Sequence, residues 1–199
     1  MSPPAAVATV PLGRGGLRVS RLGLGTAPLG NLFTAVPEPD ADATVRAALD
    51  AGLTYLDTAP HYGLGVAERR LGRVLAGRPR DSFVLSTKVG RLLRPLDPGE
   101  SADPEGFVAV PPGKRVWDLS PAGVRRSLEE SLDRLGLERI DIAYIHDPDG
   151  NLIELVYHPL GLEDAQGNTV AMVPDAEGLR WTQLPGFVAA EYGNETSNP

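Results

Sequence analysis

The chain has 199 residues, 42% hydrophobic and 23% charged, and a net charge of −7 that argues against a nucleic-acid partner. It has no cysteine, which excludes disulfides and thiolate metal sites. The start of the chain does not match a signal peptide, and no apolar run reaches the roughly 20 residues of a membrane helix, so we expect a cytoplasmic protein without a membrane partner.

Strands and helices alternate along most of the chain. Short apolar or β-branched runs predict four strands, at residues 22–27, 54–59, 83–89 and 140–146. Between them, apolar residues at helical spacing predict three helices, which end at Gly52, Gly77 and Gly136. Asp40 is the predicted cap of the first helix, and Ser120 caps the third, with Pro121 at the first helical position.

Two further segments carry structural expectations. Residues 90–119 are rich in proline and glycine, so we expect an irregular loop of functional or mobile character, without helix or strand. Five arginines cluster around the second helix, with glutamate interleaved, and we interpret them as a solvated helix face rather than a nucleic-acid patch. These arginines are Arg69, Arg70, Arg73, Arg78 and Arg80.

The strand and helix alternation predicts a parallel α/β sheet with right-handed crossovers. Periodicity leaves open whether that sheet is doubly wound or part of a barrel. The run LGLGTAPLG lacks the GxGxxG spacing of the dinucleotide fingerprint. A closed eight-stranded α/β barrel typically needs about 250 residues, which is more than this chain has.

The pattern changes after Asp147. The run GNLIELVYHP predicts one more strand, with no amphipathic helix after it. Asp149 and Gly150 form a tight-turn pair, so we expect residues 140–146 and 151–157 to pair as an antiparallel hairpin. This hairpin would cover the sheet edge, and an open edge would instead favour self-association.

Polar side chains stand at the carboxyl ends of three successive predicted strands. Asp57 ends the second strand and Tyr62 follows in its loop, Lys88 ends the third and His146 ends the fourth. Each residue taken alone has an ordinary structural explanation. Together they predict one shared site, because active sites of parallel α/β folds assemble at the carboxyl ends of the strands.

Several segments resemble one family. LGLGTAPLG, LDTAPHYG, FVLSTKVG, SLEESLDRLGLERID and the strand ending in IH are similar to aldo-keto reductases of the bacterial sugar or aldose dehydrogenase type, over about residues 10–147. The resemblance implies a partial (β/α)8 TIM barrel of about four βα units. We therefore divide the chain into a half barrel at 1–147 and a short β-rich C-terminal tail at 148–199.

The resemblance also implies roles for the polar residues. Tyr62 is the general acid that protonates the carbonyl oxygen of a small carbonyl or sugar substrate. Lys88, paired with Asp57, makes the tyrosine proton easier to release. His146 orients the substrate carbonyl by hydrogen bonding.

The implied cofactor is NAD(P)H, and the resemblance leaves NAD and NADP open. Gly25 and Thr26, together with Asp57, correspond to residues that line the nicotinamide pocket. Trp117 is interpreted either as an apolar wall for the substrate or as a tryptophan that anchors the core or loop. The later half of the family's barrel, which grips the rest of the cofactor, has no counterpart in this sequence.

The tail carries a second resemblance. DPDGNLIELV (147–156) is similar to the closing strand of the glyoxalase and dioxygenase superfamily, in which the glutamate matching Glu154 is a metal ligand. A divalent metal needs three or four ligands, so Glu154 with His158 is not enough and we expect no metal site. The alternatives to an oxidoreductase are therefore a non-catalytic truncated or fused half barrel and a glyoxalase-like metalloprotein.

Overall fold

A computed structural model of the chain describes residues 7–12, 16–102, 105–146, 152–156, 171–175, 178–182 and 188–189. Side chains are described within these ranges as far as residue 145. The strands are β1 (Thr9–Leu12), β2 (Leu17–Ser20), β3 (Gly23–Gly25), β4 (Tyr55–Asp57), β5 (Val84–Lys88), β6 (Arg91–Arg94), β7 (Lys114–Trp117), β8 (Ile142–His146), β9 (Leu152–Val156), β10 (Ala171–Asp175), β11 (Gly178–Thr182) and β12 (Val188–Ala189). The α-helices are α1 (Glu38–Asp50), α2 (Val66–Leu75) and α3 (Pro121–Leu135).

The main sheet has the order β12-β9-β8-β5-β4-β3. Its strands β3, β4, β5 and β8 are parallel, which confirms the predicted parallel sheet. Gly25 pairs with Asp57, and Asp57 pairs with Ser86. Because side chains alternate along a strand, Asp57, Ser86 and Lys88 share one face of the sheet, and Leu56 and Leu85 share the other.

The face that carries Leu56 and Leu85 is covered by the three helices. Both leucines belong to one buried cluster that also contains Val45 of α1, Leu71 of α2 and Leu135 of α3. Helix α2 packs against both α1 and α3. The helices therefore lie side by side on one side of the sheet, which is consistent with a partial barrel, and the polar residues of β4 and β5 point to the opposite side.

Most helix boundaries follow the predicted signals. Ser120 caps α3, where its side chain accepts a hydrogen bond from the backbone N–H of Gly123 at 3.1 Å, and Gly136 ends the helix in a left-handed conformation. The predicted cap at Asp40 is wrong, because α1 already begins at Glu38 after the extended Pro37. Asp40 lies instead in the first helical turn, where a carboxylate interacts favourably with the helix dipole.

The predicted irregular segment contains a hairpin, so that expectation is wrong. Strands β6 and β7 pair antiparallel, from Arg91 with Trp117 to Arg94 with Lys114. Leu92 of β6 is buried. Strands β1 and β2 form a second antiparallel hairpin, which the sequence did not predict. Both hairpins consist of four-residue strands whose stability depends on the cross-strand partner rather than on a local period.

The prediction of a solvated arginine face is wrong for Arg70. Its side chain is buried and donates hydrogen bonds to the carbonyl oxygens of Leu29 at 2.7 Å and Val36 at 2.8 Å. It also donates to the Asn31 side chain at 2.8 Å and pairs with Glu38. Arg70 therefore fastens the segment between β3 and α1 to helix α2.

The predicted hairpin between the fourth parallel strand and the tail is confirmed. Strand β9 pairs antiparallel with β8, from Ile142 with Val156 to His146 with Leu152, and β12 pairs with the other side of β9. The turn predicted at Asp149 and Gly150 lies outside the described residues. The division of the chain at residue 147 stays a prediction. Among the described helices, none combines the length and apolar character needed to cross a membrane.

Candidate active site

The ends of β4 and β5 bring a carboxylate and an ammonium group together. The Lys88 Nζ donates to the two carboxylate oxygens of Asp57 at 2.6 and 2.5 Å, and to the carbonyl oxygen of Thr58 at 3.1 Å. Both side chains are about 70% buried, at 29% and 28% exposed. The predicted proximity of Lys88 and Asp57 is confirmed.

Tyr62 lies in the loop that follows β4, beside this ion pair. The Lys88 Nζ is 5.3 Å from the centre of the Tyr62 ring, within the range of a cation–π interaction. The rings of His61 and Phe107 stand against Tyr62, at centroid distances of 4.6 and 6.2 Å. The aromatic contacts and the ammonium therefore fix the position of the phenol.

Two glycines set the path of the Tyr62 loop. A Cβ atom on Gly30 would lie 2.6 Å from the carbonyl carbon of Tyr62, and one on Gly63 would lie 2.9 Å from the carbonyl carbon of Gly30. Gly63 also has a φ of +63°, which favours glycine. The loops after β3 and β4 therefore touch through their backbones, with no side chain between them.

A chain of hydroxyl groups continues from Asp57 across the same face of the sheet. The Ser86 hydroxyl donates to the Asp57 carboxylate at 2.6 Å, and the Tyr55 hydroxyl donates to the Ser86 oxygen at 3.2 Å. The hydroxyls of Tyr55 and Tyr144 are also 3.2 Å apart. Since a carboxylate only accepts hydrogen bonds, the hydroxyl groups of Ser86 and Tyr55 both donate in the direction of Asp57.

Thr26 and Gly25, which the resemblance places near the nicotinamide, differ in their surroundings. Thr26 is fully buried, and both its backbone N–H and its hydroxyl donate to the carbonyl oxygen of Asp57 at 2.9 Å. Gly25 borders open space, because a Cβ atom there would meet nothing within 4 Å. Thr26 therefore fixes the end of β4, and Gly25 leaves room for a flat group at the sheet end.

A cavity of about 580 Å³ opens at this end of the sheet. Its lining residues are Tyr55, Asp57, His61, Lys88, Val89, Arg91, Trp117 and Tyr144. Trp117 lines the cavity and is 57% exposed, which excludes the interpretation as a core tryptophan.

Sequence reasoning missed five residues of this cavity wall, one of which, Val89, directly follows the predicted Lys88. Tyr55 and Tyr144 lie two residues before Asp57 and His146, so strand alternation from those predicted positions would have found them. His61 precedes Tyr62 in a loop, and Arg91 lies in a hairpin that the sequence did not predict. No periodic signal marks these two positions.

His61 is held neutral. Burial, and to a smaller extent the positive charges of Arg91, Arg115 and Lys88, together lower its pKa from 6.5 to about 4. At neutral pH the imidazole therefore offers one donor and one acceptor to the cavity and no charge.

His146 is the final residue of β8, two positions beyond Tyr144, which pairs with Lys88. Its side chain lies outside what the structure describes, so its convergence with the other three predicted residues stays a prediction. Within the described ranges, no group of three or more histidine and acidic side chains is arranged to hold a metal ion. Glu154 and His158 fall outside the described side chains.

The described residues thus combine a parallel α/β sheet with a lysine–aspartate pair and a tyrosine at the carboxyl ends of its strands. Residues 21–166 match the Aldo/keto reductase family, to which this chain belongs.

Named relatives of the chain are dehydrogenases. A D-threo-aldose 1-dehydrogenase from a Pseudomonas species is 48% identical over 155 residues, covering 76% of this chain and 45% of that protein. A pyridoxal 4-dehydrogenase from Microbacterium luteolum is 45% identical over 144 residues, covering 68% of this chain and 42% of that protein. The chain therefore spans less than half the length of these relatives.

A solved structure agrees with this assignment. An aldo-keto reductase from Bacillus halodurans, in its holo form, superposes with a TM-score of 0.55 at 33% sequence identity. The match covers 72% of this chain and 43% of that one.

Proposed function

We propose that this chain is an NAD(P)H-dependent oxidoreductase of the aldo-keto reductase type, acting on a carbonyl or aldose substrate through a partial (β/α)8 barrel. The observation that carries the proposal is the Lys88–Asp57 ion pair beside the Tyr62 ring at the carboxyl end of the sheet. Names of the relatives, all dehydrogenases of small carbonyl or sugar compounds, support the same substrate class.

Each polar residue has a defined task in this proposal. Tyr62 donates its phenolic proton to the carbonyl oxygen as that oxygen gains negative charge. The Lys88 ammonium, 5.3 Å from the ring centre, holds the tyrosine ring in place beside the ion pair. Asp57 holds the ammonium through two short hydrogen bonds. His146, at the end of β8, orients the carbonyl by a hydrogen bond.

The nicotinamide end of the cofactor fits the residues at this sheet end. Gly25 borders open space next to Asp57 and would let a flat ring approach the backbone, and Thr26 holds the adjoining strand end in place. A bound NAD(P)H supplies the hydride for carbonyl reduction. We assign no described residue to the adenosine end of the dinucleotide.

The non-catalytic half barrel, the alternative that the sequence left open, stays a prediction. The chain matches 45% of the aldose dehydrogenase and 42% of the pyridoxal dehydrogenase. Such a half barrel would keep the predicted site residues and fail to bind the cofactor. The glyoxalase-like metalloprotein and the cytoplasmic location stay predictions. Self-association also stays a prediction. It was expected from an open edge of β8, and β9 covers that edge.

Cofactor titration separates the two candidates. We expect the full chain to change the fluorescence of NADPH on binding and to oxidise NADPH in the presence of an aldehyde. Tyr62→Phe should bind NADPH as the wild type does and reduce the aldehyde on the order of 10² to 10⁴ times more slowly, the usual contribution of a general acid. Tyr192→Phe, a matched change in the tail, should leave both measurements unchanged.

Two results would decide against the proposal. A chain that is folded by circular dichroism and leaves NADPH fluorescence unchanged would be the non-catalytic half barrel. Undiminished turnover by Tyr62→Phe would remove the tyrosine from its assigned role.

A further inference from the structure

The cavity contains a second cationic side chain that carbonyl reduction does not use. Arg91 is the first residue of β6 and lines the cavity together with Lys88 and His61. Its side chain is 17% exposed. Lys88 has a role in the proposed reaction through its contacts with Asp57 and Tyr62, whereas Arg91 has none.

Arg91 and Arg115 both lie near Glu105. Glu105 forms an ion pair with Arg91 and also lies 3.6 Å from the Nε of Arg115, so its charge is shared between two guanidinium groups. The charges that lower the pKa of His61 are all positive, from Arg91, Arg115 and Lys88. Three cationic side chains therefore stand close enough to His61 to act on it, and two of them, Arg91 and Lys88, line the cavity.

Arg91 is also held in a fixed plane. Its guanidinium carbon lies 5.0 Å from the centre of the Trp117 ring, so the flat group stacks against the indole. Glu105 accepts a hydrogen bond from one terminal nitrogen of the guanidinium. The Nε–H is buried without a hydrogen-bond partner among the described residues.

We propose that Arg91, backed by Trp117, binds the carboxylate of the substrate, so that the preferred substrates are oxo acids, compounds with a carbonyl and a carboxylate in one molecule. A planar guanidinium matches a carboxylate through paired N–H donors, which a lysine does not provide. The identification of the bound acid as a substrate rests on the proposed function, whereas the binding of a carboxylate does not.

The test measures equilibrium binding without cofactor or turnover. The full chain is titrated by calorimetry at low salt with benzoate, with the neutral isostere benzamide, and with inorganic pyrophosphate. The variants are Arg91→Gln, which removes the positive charge, and Arg91→Lys, which keeps the charge and loses the paired N–H donors of the guanidinium. Arg18→Gln is the charge-matched control, since Arg18 is exposed on β2 and is not among the lining residues.

We expect benzoate to bind the wild type and the Arg18 variant alike, and to bind Arg91→Gln about tenfold more weakly, equivalent to about 1.4 kcal/mol. Arg91→Lys should lie between them, and benzamide should bind weakly to every variant. Circular dichroism confirms that each variant is folded. If Arg91→Gln fails to fold, the comparison of benzoate with benzamide on the wild type and on Arg91→Lys still tests whether Arg91 binds a carboxylate.

Three results would overturn the inference. Equal benzoate affinity for wild type and Arg91→Gln would remove Arg91 from anion binding. Equal affinity for benzamide and benzoate would make the recognition apolar. Tighter, Arg91-dependent binding of pyrophosphate would assign the arginine to a nucleotide phosphate. Because the assay uses no cofactor, a failure of NADPH binding would refute the proposed function and leave this result standing.

Discussion

The neutral, buried His61 predicts a specific acid sensitivity of the fold. Folding lowers the pKa of this imidazole from 6.5 to about 4, so between these values the unfolded chain binds a proton that the folded chain does not. The stability is therefore complete above pH 6.5 and is lost as the pH falls toward 4. One pKa unit corresponds to about 1.4 kcal/mol, so the loss is about 1.4 kcal/mol at pH 5.5 and about 3 kcal/mol below pH 4.

The assay is urea denaturation of the wild type and of His61→Gln, followed by tryptophan fluorescence at several pH values between 7.5 and 4. Carboxylates titrate in the same range in both proteins, so the difference between the two free energies of unfolding isolates the histidine. We expect the wild type to lose stability relative to the glutamine variant as the pH falls. Parallel curves across this range would refute the reasoning, because they would mean that the folded protein accepts the proton on His61 without cost.

Three further substitutions test how the elements around the site are held. Arg134→Met leaves the fully buried Glu68 without the partner that now lies 2.5 Å away. Urea denaturation should show a loss of about 3–5 kcal/mol in the free energy of unfolding, and a loss below about 1 kcal/mol would contradict the role of the pair. Ser120→Ala removes the acceptor for the Gly123 N–H and should cost about 1 kcal/mol in the same assay, whereas an unchanged midpoint would show that the cap is dispensable. Gly63→Ala forces a side chain against backbone and should lower the melting temperature measured by circular dichroism, and a wild-type melting curve would show that the loop can shift at no cost.

Local sequence signals predicted the helices and the parallel strands well. Helices α2 and α3 end at the predicted glycines, because a left-handed residue after a helix is a local requirement that glycine meets. The alignment of Asp57 and Lys88 followed from strand ends alone, since neighbouring parallel strands bring their carboxyl ends to one edge. These features depend on residues close together in the chain or on the general rules of parallel sheets.

The features that sequence reasoning missed depend on partners that are distant in the chain. Arg70 is buried because backbone carbonyl groups from the segment after β3 converge on it, and no helical period records that contact. The β6–β7 hairpin joins strands separated by about twenty residues, so neither strand shows its partner. Arg91 entered the cavity wall only through that hairpin. The site was therefore predictable at the strand ends and not in the long loop.

The backbone contact between Gly30 and Gly63 constrains the loop that carries His61 of the cavity wall, whereas the β6–β7 hairpin has no such constraint among the described contacts. A side chain at either glycine would collide with the opposite loop, so the loops after β3 and β4 have a fixed shape. The hairpin carries half-buried and exposed side chains at Arg91 and Trp117. A library aimed at a new substrate should therefore vary the hairpin positions and keep both glycines, because the hairpin side of the pocket is where replacement side chains have room.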